Sequence, residues 1–355
     1  MGAKVKVILS MVLGWRIYLL VLGFISTFFI TQRMGYLGVN PWANFDGVHY
    51  LSIAQNGYIS EAVFFPLYPL LIKMFGLILG GNYFLASLFV SNTAFLLAVI
   101  LFYKLIKLDT DAKRGTEAVL WLLIFPVAFI FGAVYSESLF LLLLVASFYF
   151  ARKKNWGLAI IAAFFLCITR VVGVFIIPAL IYEYFKEYRK ISWKFLAVPL
   201  GFVGYALFNY IKWGDLLYFI RAHSELNNGR SVSSVILFPQ TIYRYIKILF
   251  SLPINVYEWQ IALLEVVMFC LAFYLLYSAW RNKVRLSYLI FSALAFFMPS
   301  SSGTFSGLPR YVIILFPIYL ALTYQPKIVK GLWAVISFAL LSVLTMFFLR
   351  GYFVA

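Results

Sequence analysis

Residues 8–30 read ILSMVLGWRIYLLVLGFISTFFI, a run of about 23 residues in which Arg16 is the sole charge. Crossing roughly 30 Å of hydrocarbon takes about 20 apolar residues in a helix, so the run is long enough to span a bilayer. It exceeds the roughly 7–15 apolar residues of a secretory signal and is expected to stay as a first span, behind Lys4 and Lys6. The pattern repeats along the chain. Further spans are expected near 84–105, 117–134, 137–151, 156–170, 172–186, 195–212, 260–280, 286–300, 311–325 and 330–349, about eleven in all. Backbone polar groups have no partner in lipid except one another, so these spans are helices. The fold class is all-α, a polytopic membrane protein forming one domain over residues 1–355.

Composition agrees. Hydrophobic residues make up 64% of the chain and charged residues 12%, against roughly 45–50% and 25% in soluble domains. The net charge of +17 sits in short clusters between the apolar runs, which excludes a nucleic-acid binder and fits the positive-inside rule. With the N-terminus in the cytoplasm, the inner connections hold about 18 of the 29 Lys and Arg. Cys167 and Cys270 lie inside apolar runs and form neither a disulfide framework nor a Cys-ligated metal site.

Two long connections then fall on the outer face, residues 31–83 and 213–258. Both are too apolar and aromatic for solvated loops. FFPLYPLLIKMFGLILG and IYRYIKILFSLP read as interfacial helices that roof a cavity.

The first of these loops carries NFDGVHYLSIAQNGY, residues 44–58. Asp46 and His49 are three residues apart and share a face if this is a short helix ended by Gly57 and Tyr58. Spacing alone leaves two readings open: Asp46 as a helix cap beside an interfacial His49, or Asp46 as a functional acid. Tyr135 and Glu137 in GAVYSESLF, Arg170 in CITRVVG, and Arg310 in SGTFSGLPRY fall on the same side. Such residues at membrane depth are costly, and their convergence favours function. Arg16 is expected to snorkel inward as a structural residue. The DTD of Asp109 and Asp111 reads as a solvated inner turn. Asp215, Arg221 and Glu225 read as either acceptor contacts or plain loop surface.

Taken in order, NFDGVHYLSIAQNGY, FFPLYPLL, YSESLFLLL, ITRVVGV, WGD and GLPRYVIILFP resemble the integral-membrane mannosyltransferases related to the enzyme that adds the second mannose of the GPI anchor, over roughly residues 10–320. The resemblance implies the GT-C class, multi-helix transferases that take a sugar from a polyprenyl phosphate on the non-cytoplasmic face and invert its anomeric carbon. The class keeps an essential acid in the first outer loop, and Asp46 matches it. The acid stands alone, beside Gly47, and Phe45 replaces the usual Trp, which favours a metal-independent reaction with no cofactor.

On this reading Asp46 is the general base, and Arg310 and Arg170 bind the donor phosphate. His49, Glu61, Tyr135 and Glu137 contact substrate. The expected partners are a polyprenyl-phosphate sugar donor, a glycolipid or glycan acceptor and the bilayer, in the plasma membrane of a prokaryote. The alternatives are a transporter or flippase of lipid-linked sugars and a non-catalytic subunit. The absence of internal repeat symmetry, and candidate residues at helix ends and not at the midplane, weigh against a transporter.

Overall fold

The computed structural model describes residues 3–33, 40–223, 236 and 238–354. Sixteen α-helices are present among them. They are α1 (Ala3–Phe29), α2 (Asp46–Asn56), α3 (Leu67–Ile78), α4 (Tyr83–Asp109), α5 (Ala112–Leu123), α6 (Glu137–Arg152), α7 (Trp156–Cys167) and α8 (Ile176–Tyr188). The second half holds α9 (Leu200–Trp213), α10 (Tyr218–Arg221), α11 (Phe238–Ser251), α12 (Tyr257–Arg281), α13 (Leu286–Ser300), α14 (Leu308–Val312), α15 (Pro317–Thr323) and α16 (Lys327–Leu349). Short 3-10 turns lie at Pro41–Ala43, Ala128–Gly132, Val171–Phe175 and Trp193–Ala197. No strand occurs among the described residues.

Five segments are long and apolar enough to cross a bilayer: Lys4–Phe29, Tyr83–Asp109, Trp193–Trp213, Tyr257–Arg281 and Lys327–Leu349. Leu67–Ile78, Trp156–Cys167 and Leu286–Ser300 are shorter apolar helices. Every expected span coincides with a helix or a broken pair, but the figure of about eleven full crossings is not reached by length.

The breaks have local causes. The expected 117–134 span stops as a helix at Leu123 and continues through Pro126 as an irregular segment whose residues from Phe125 to Tyr135 are buried. Proline removes an N–H donor, and irregular backbone at membrane depth survives only inside protein. The expected 311–325 span likewise splits into α14 and α15 at Pro317, which starts the second helix at its first position.

The buried core runs from Trp15 and Leu19 of α1 through Phe102 of α4, Phe129, Phe131, Phe140, Tyr288 and Phe316 to Phe348 of α16. Helix α4 is central and packs on α3, α5 and α6. The two stretches expected to form interfacial helices fold as α3 and α11. In α11, Thr241 and Tyr245 are buried while Tyr243 and Phe250 are exposed.

At the end of α6 away from Glu137, Asp109 accepts from Arg152 Nε at 3.0 Å and from the Tyr288 hydroxyl at 2.6 Å. Arg285 Nη2 reaches Glu183 at 2.6 Å, and Ser287 donates to the same carboxylate at 2.7 Å. Asp111 caps α5 by accepting from the Lys113 and Arg114 N–H groups. DTD is therefore a solvated turn only at Asp111, while Asp109 is one anchor of a clamp joining α4, α6, α8 and α13. Arg16 also departs from expectation. Its guanidinium lies 4.4 Å from the centre of the Trp42 ring and packs against Gly132, because an aromatic face is available to a cation that would otherwise lie bare in lipid.

Candidate active site

The site starts from backbone geometry at the entry to α2. Phe45 sits at φ 54°, ψ −115°, a conformation costly for a bulky residue. Neighbours hold it there. Its ring packs on Phe348 and Phe353, Asn44 Nδ2 donates to the Phe348 carbonyl at 2.6 Å, and the Tyr135 hydroxyl donates to the Asn44 carbonyl at 3.2 Å. The Val134 N–H donates to the Trp42 carbonyl at 2.8 Å, fastening the same segment from below. Asp46 is consequently the first residue of α2. No side chain caps this helix, so the capping reading of Asp46 is overturned.

Asp46 instead reaches across the molecule. Its Oδ2 accepts from Arg310 Nη2 at 2.5 Å. Arg310 Nε donates to Glu137 Oε1 at 2.9 Å, and the same oxygen accepts from Arg170 Nη1 at 2.5 Å. Four charges alternate in a row, Arg170, Glu137, Arg310, Asp46. The Tyr135 ring lies 4.7 Å below the Arg310 guanidinium, and the Tyr311 ring 5.2 Å from that of Arg170. Tyr50 donates to Ser136 Oγ at 2.8 Å and supports the loop before Glu137. Glu137 is fully buried, and its Oε2 has no hydrogen-bond partner among the described residues. Burial pushes the Asp46 carboxyl upward, but the Arg310 charge and hydrogen bond, then Arg170 and His49, outweigh it and hold Asp46 below its ordinary value.

Asp46, Arg170 and Arg310 face one cavity of about 310 Å³. His49 lines it with its ring stacked on Phe64 at 5.0 Å. Tyr50, Thr169, Ser306, Tyr311 and His223 add polar groups, and Val63, Phe65, Val171 and Phe353 add apolar wall. Tyr135 and Glu137 stand behind the arginines and do not line the cavity. Nor does Glu61, whose carboxylate accepts from the Ile59 and Ser60 N–H groups at 3.1 Å and from Ser52 at 3.3 Å. Burial raises the Glu61 carboxyl, and these donors more than reverse the shift. Asp215 pairs with Arg221 at 3.1 Å outside the cavity lining, and Glu225 lies outside the described residues.

Sequence reading missed Tyr50, His223 and Glu265. One signal was available for His223: the chain has two histidines, and both line this cavity. Glu265 was also visible, as an acid well inside the apolar α12. Its Oε1 accepts from the Gly307 N–H at 3.2 Å. Among the described residues no group of three or more His, Cys, Asp or Glu is placed to hold a metal ion.

The fold is an all-helical, membrane-embedded bundle of GT-C-like architecture. The family model described as Mannosyltransferase (PIG-V) matches residues 21–193, which contain Asp46, His49, Tyr135, Glu137 and Arg170 but not Arg310. Among solved structures, ArnT from Cupriavidus metallidurans bound to undecaprenyl phosphate is similar at TM-score 0.58 and 14% identity, covering 94% of this chain and 64% of that one. The chain thus spans less than two thirds of that protein's length. The Archaeoglobus fulgidus oligosaccharyltransferase is similar at TM-score 0.46 and 14% identity, covering 95% of this chain and 55% of the other. No curated protein matches the chain.

Proposed function

We propose that this protein transfers a sugar, mannose by its family match, from a polyprenyl-phosphate donor to a hydroxyl of a glycolipid or glycan, inverting the anomeric carbon. The observation that carries this reading is the opening of Asp46, Arg170 and Arg310 onto one cavity. A sugar hydroxyl is a weak nucleophile. A carboxylate within about 3 Å takes its proton as it attacks the anomeric carbon, and this contributes roughly 10²–10⁴-fold. The departing lipid phosphate keeps its negative charge, which two guanidinium groups stabilise in a water-poor site.

An Asp46 held by Arg310 is a weak base, so the order of events matters. A donor phosphate competes for Arg310 and loosens the 2.5 Å pair. Burial then raises the freed carboxylate toward the basicity the acceptor proton requires. Glu137 keeps both arginines in place meanwhile, because it bonds each from behind. Arg310 and Arg170 supply the positive charge, so the proposed reaction is metal-independent and proceeds in the presence of a chelator. The ArnT neighbour was solved with undecaprenyl phosphate, and a lipid phosphate of that kind is the proposed leaving group here.

The proposed site face is non-cytoplasmic. Its support is charge: Lys104, Lys107, Arg152 and Lys186 in the last turns of α4, α6 and α8, with Lys153, Lys190 and Lys283 in the connections beside them, gather at the other end of the bundle. Cysteine placed at the exposed Ile59 should react with an impermeant maleimide on intact cells, and cysteine at Lys190 only after lysis.

The deciding assay is transfer of labelled mannose from polyprenyl-phosphate mannose by purified protein in proteoliposomes, with and without a chelator. Asp46→Asn should lower kcat by about 100-fold or more. Undiminished transfer in that variant removes Asp46 as the base. Failure of the unaltered protein with every lipid-linked sugar overturns the reading as a whole.

A further inference from the structure

We propose that Glu265 of α12, with Tyr245 of α11, is a positioning residue that sets Arg310 between Asp46 and Glu137; this rests on the reading of Arg310 given above. Glu265 is only 4% exposed within a helix that is otherwise mainly apolar. A buried carboxylate is costly unless it is well bonded, so its placement needs a reason.

Both of its oxygens are directed at one turn. Oε1 accepts from the Gly307 N–H at 3.2 Å, and Oε2 accepts from the Tyr245 hydroxyl at 2.5 Å. The Tyr245 oxygen in turn accepts from the Phe305 N–H at 2.9 Å and lies 3.1 Å from Thr304 Oγ1. Gly307 has φ 70°, a left-handed conformation that a side chain resists, and it immediately precedes α14. The Arg310 N–H donates to the Gly307 carbonyl at 3.1 Å. Any displacement of Gly307 therefore passes directly to the backbone of Arg310.

This turn is not part of a regular ladder, so side chains from two other helices supply its fixed reference. Arg310 must satisfy two carboxylates at once, at 2.5 Å and 2.9 Å. A misplacement of about 1 Å costs on the order of 100-fold in a reaction that depends on alignment.

The test compares unaltered protein with Glu265→Ala, Glu265→Gln and Tyr245→Phe, each purified as a monodisperse fraction in proteoliposomes. Two readouts are taken. Hydrogen–deuterium exchange over residues 303–310 needs no activity: exchange should quicken in Glu265→Ala and Tyr245→Phe and return most of the way in Glu265→Gln, which keeps an acceptor oxygen. The second is the pH dependence of transfer. In Glu265→Ala, kcat should fall by about 10- to 100-fold, and the acid limb should move upward in pH because Asp46 loses its arginine while staying buried. A general loss of fold would reduce amplitude and leave the limb in place. Unchanged exchange, or a folded Glu265→Ala with the original acid limb, overturns the inference. Inactive unaltered protein with quickened exchange in the variants would sink the transferase reading while leaving Glu265 as the anchor of this turn.

Discussion

At the scale of single residues the site is an alternation of charge whose members lie far apart in the chain. Arg310 is 264 positions from Asp46 and 173 from Glu137. The spacing of Asp46 and His49 marked a helical face, and α2 forms there, ending at Gly57. No spacing rule could show that Asp46 would bond Arg310 and leave its own helix uncapped. Lysine at position 310 offers a point charge where the guanidinium bridges two carboxylates, so Arg310→Lys should lower kcat by roughly 100-fold. The sign of its pH effect follows from Asp46. A depressed carboxyl stays ionised, and a base stays competent, until the pH falls through the folded value; it then loses activity toward acid. Weakening the Arg310 pair raises that value, so the acid limb of kcat/KM moves to higher pH. A limb unmoved in Arg310→Lys would show that another group than Asp46 titrates there.

At the scale of elements the helices were readable because each apolar run had to satisfy its own backbone, and α4, α6, α12, α13 and α16 fall close to their expected bounds. The breaks were less readable, because Pro126 and Pro317 act within runs that stay apolar throughout. The junction that delivers Arg170 is the tightest of these. A β-carbon on Gly173 would stand 2.4 Å from the Leu166 carbonyl oxygen, where backbone cannot give way. Gly173→Ala should therefore part α7 from the Val171–Phe175 turn, destabilise the protein by about 1–3 kcal/mol and weaken donor binding through Arg170. Thermal unfolding in detergent, with donor KM measured alongside, checks both effects; an unchanged midpoint would mean that the turn absorbs the methyl group.

At the scale of the whole molecule, the alternating charges of the site and the Asp109 clamp occupy opposite ends of α6, about 22 Å apart along its axis. The clamp carboxylates are nearly covered, with side-chain exposures of 10% for Asp109 and 7% for Glu183. Breaking such a pair leaves an uncompensated charge and costs on the order of 3 kcal/mol. Glu183→Gln should thus lower the thermal midpoint while leaving the donor KM unchanged. The short helices have a consequence for the bilayer itself. Helix α6 has 16 residues and α13 has 15, which is about 24 Å and 22 Å of rise against roughly 30 Å of hydrocarbon. Helix α6 has no exposed residue, but α13 exposes Leu286, Leu294 and Phe297, so lipid meeting that flank is expected to thin toward its shorter rise. Turnover should then depend on acyl-chain length, rising in bilayers of shorter lipids and falling in longer ones. A thinned flank would let a lipid phosphate descend to the depth of Arg310 without leaving its own leaflet.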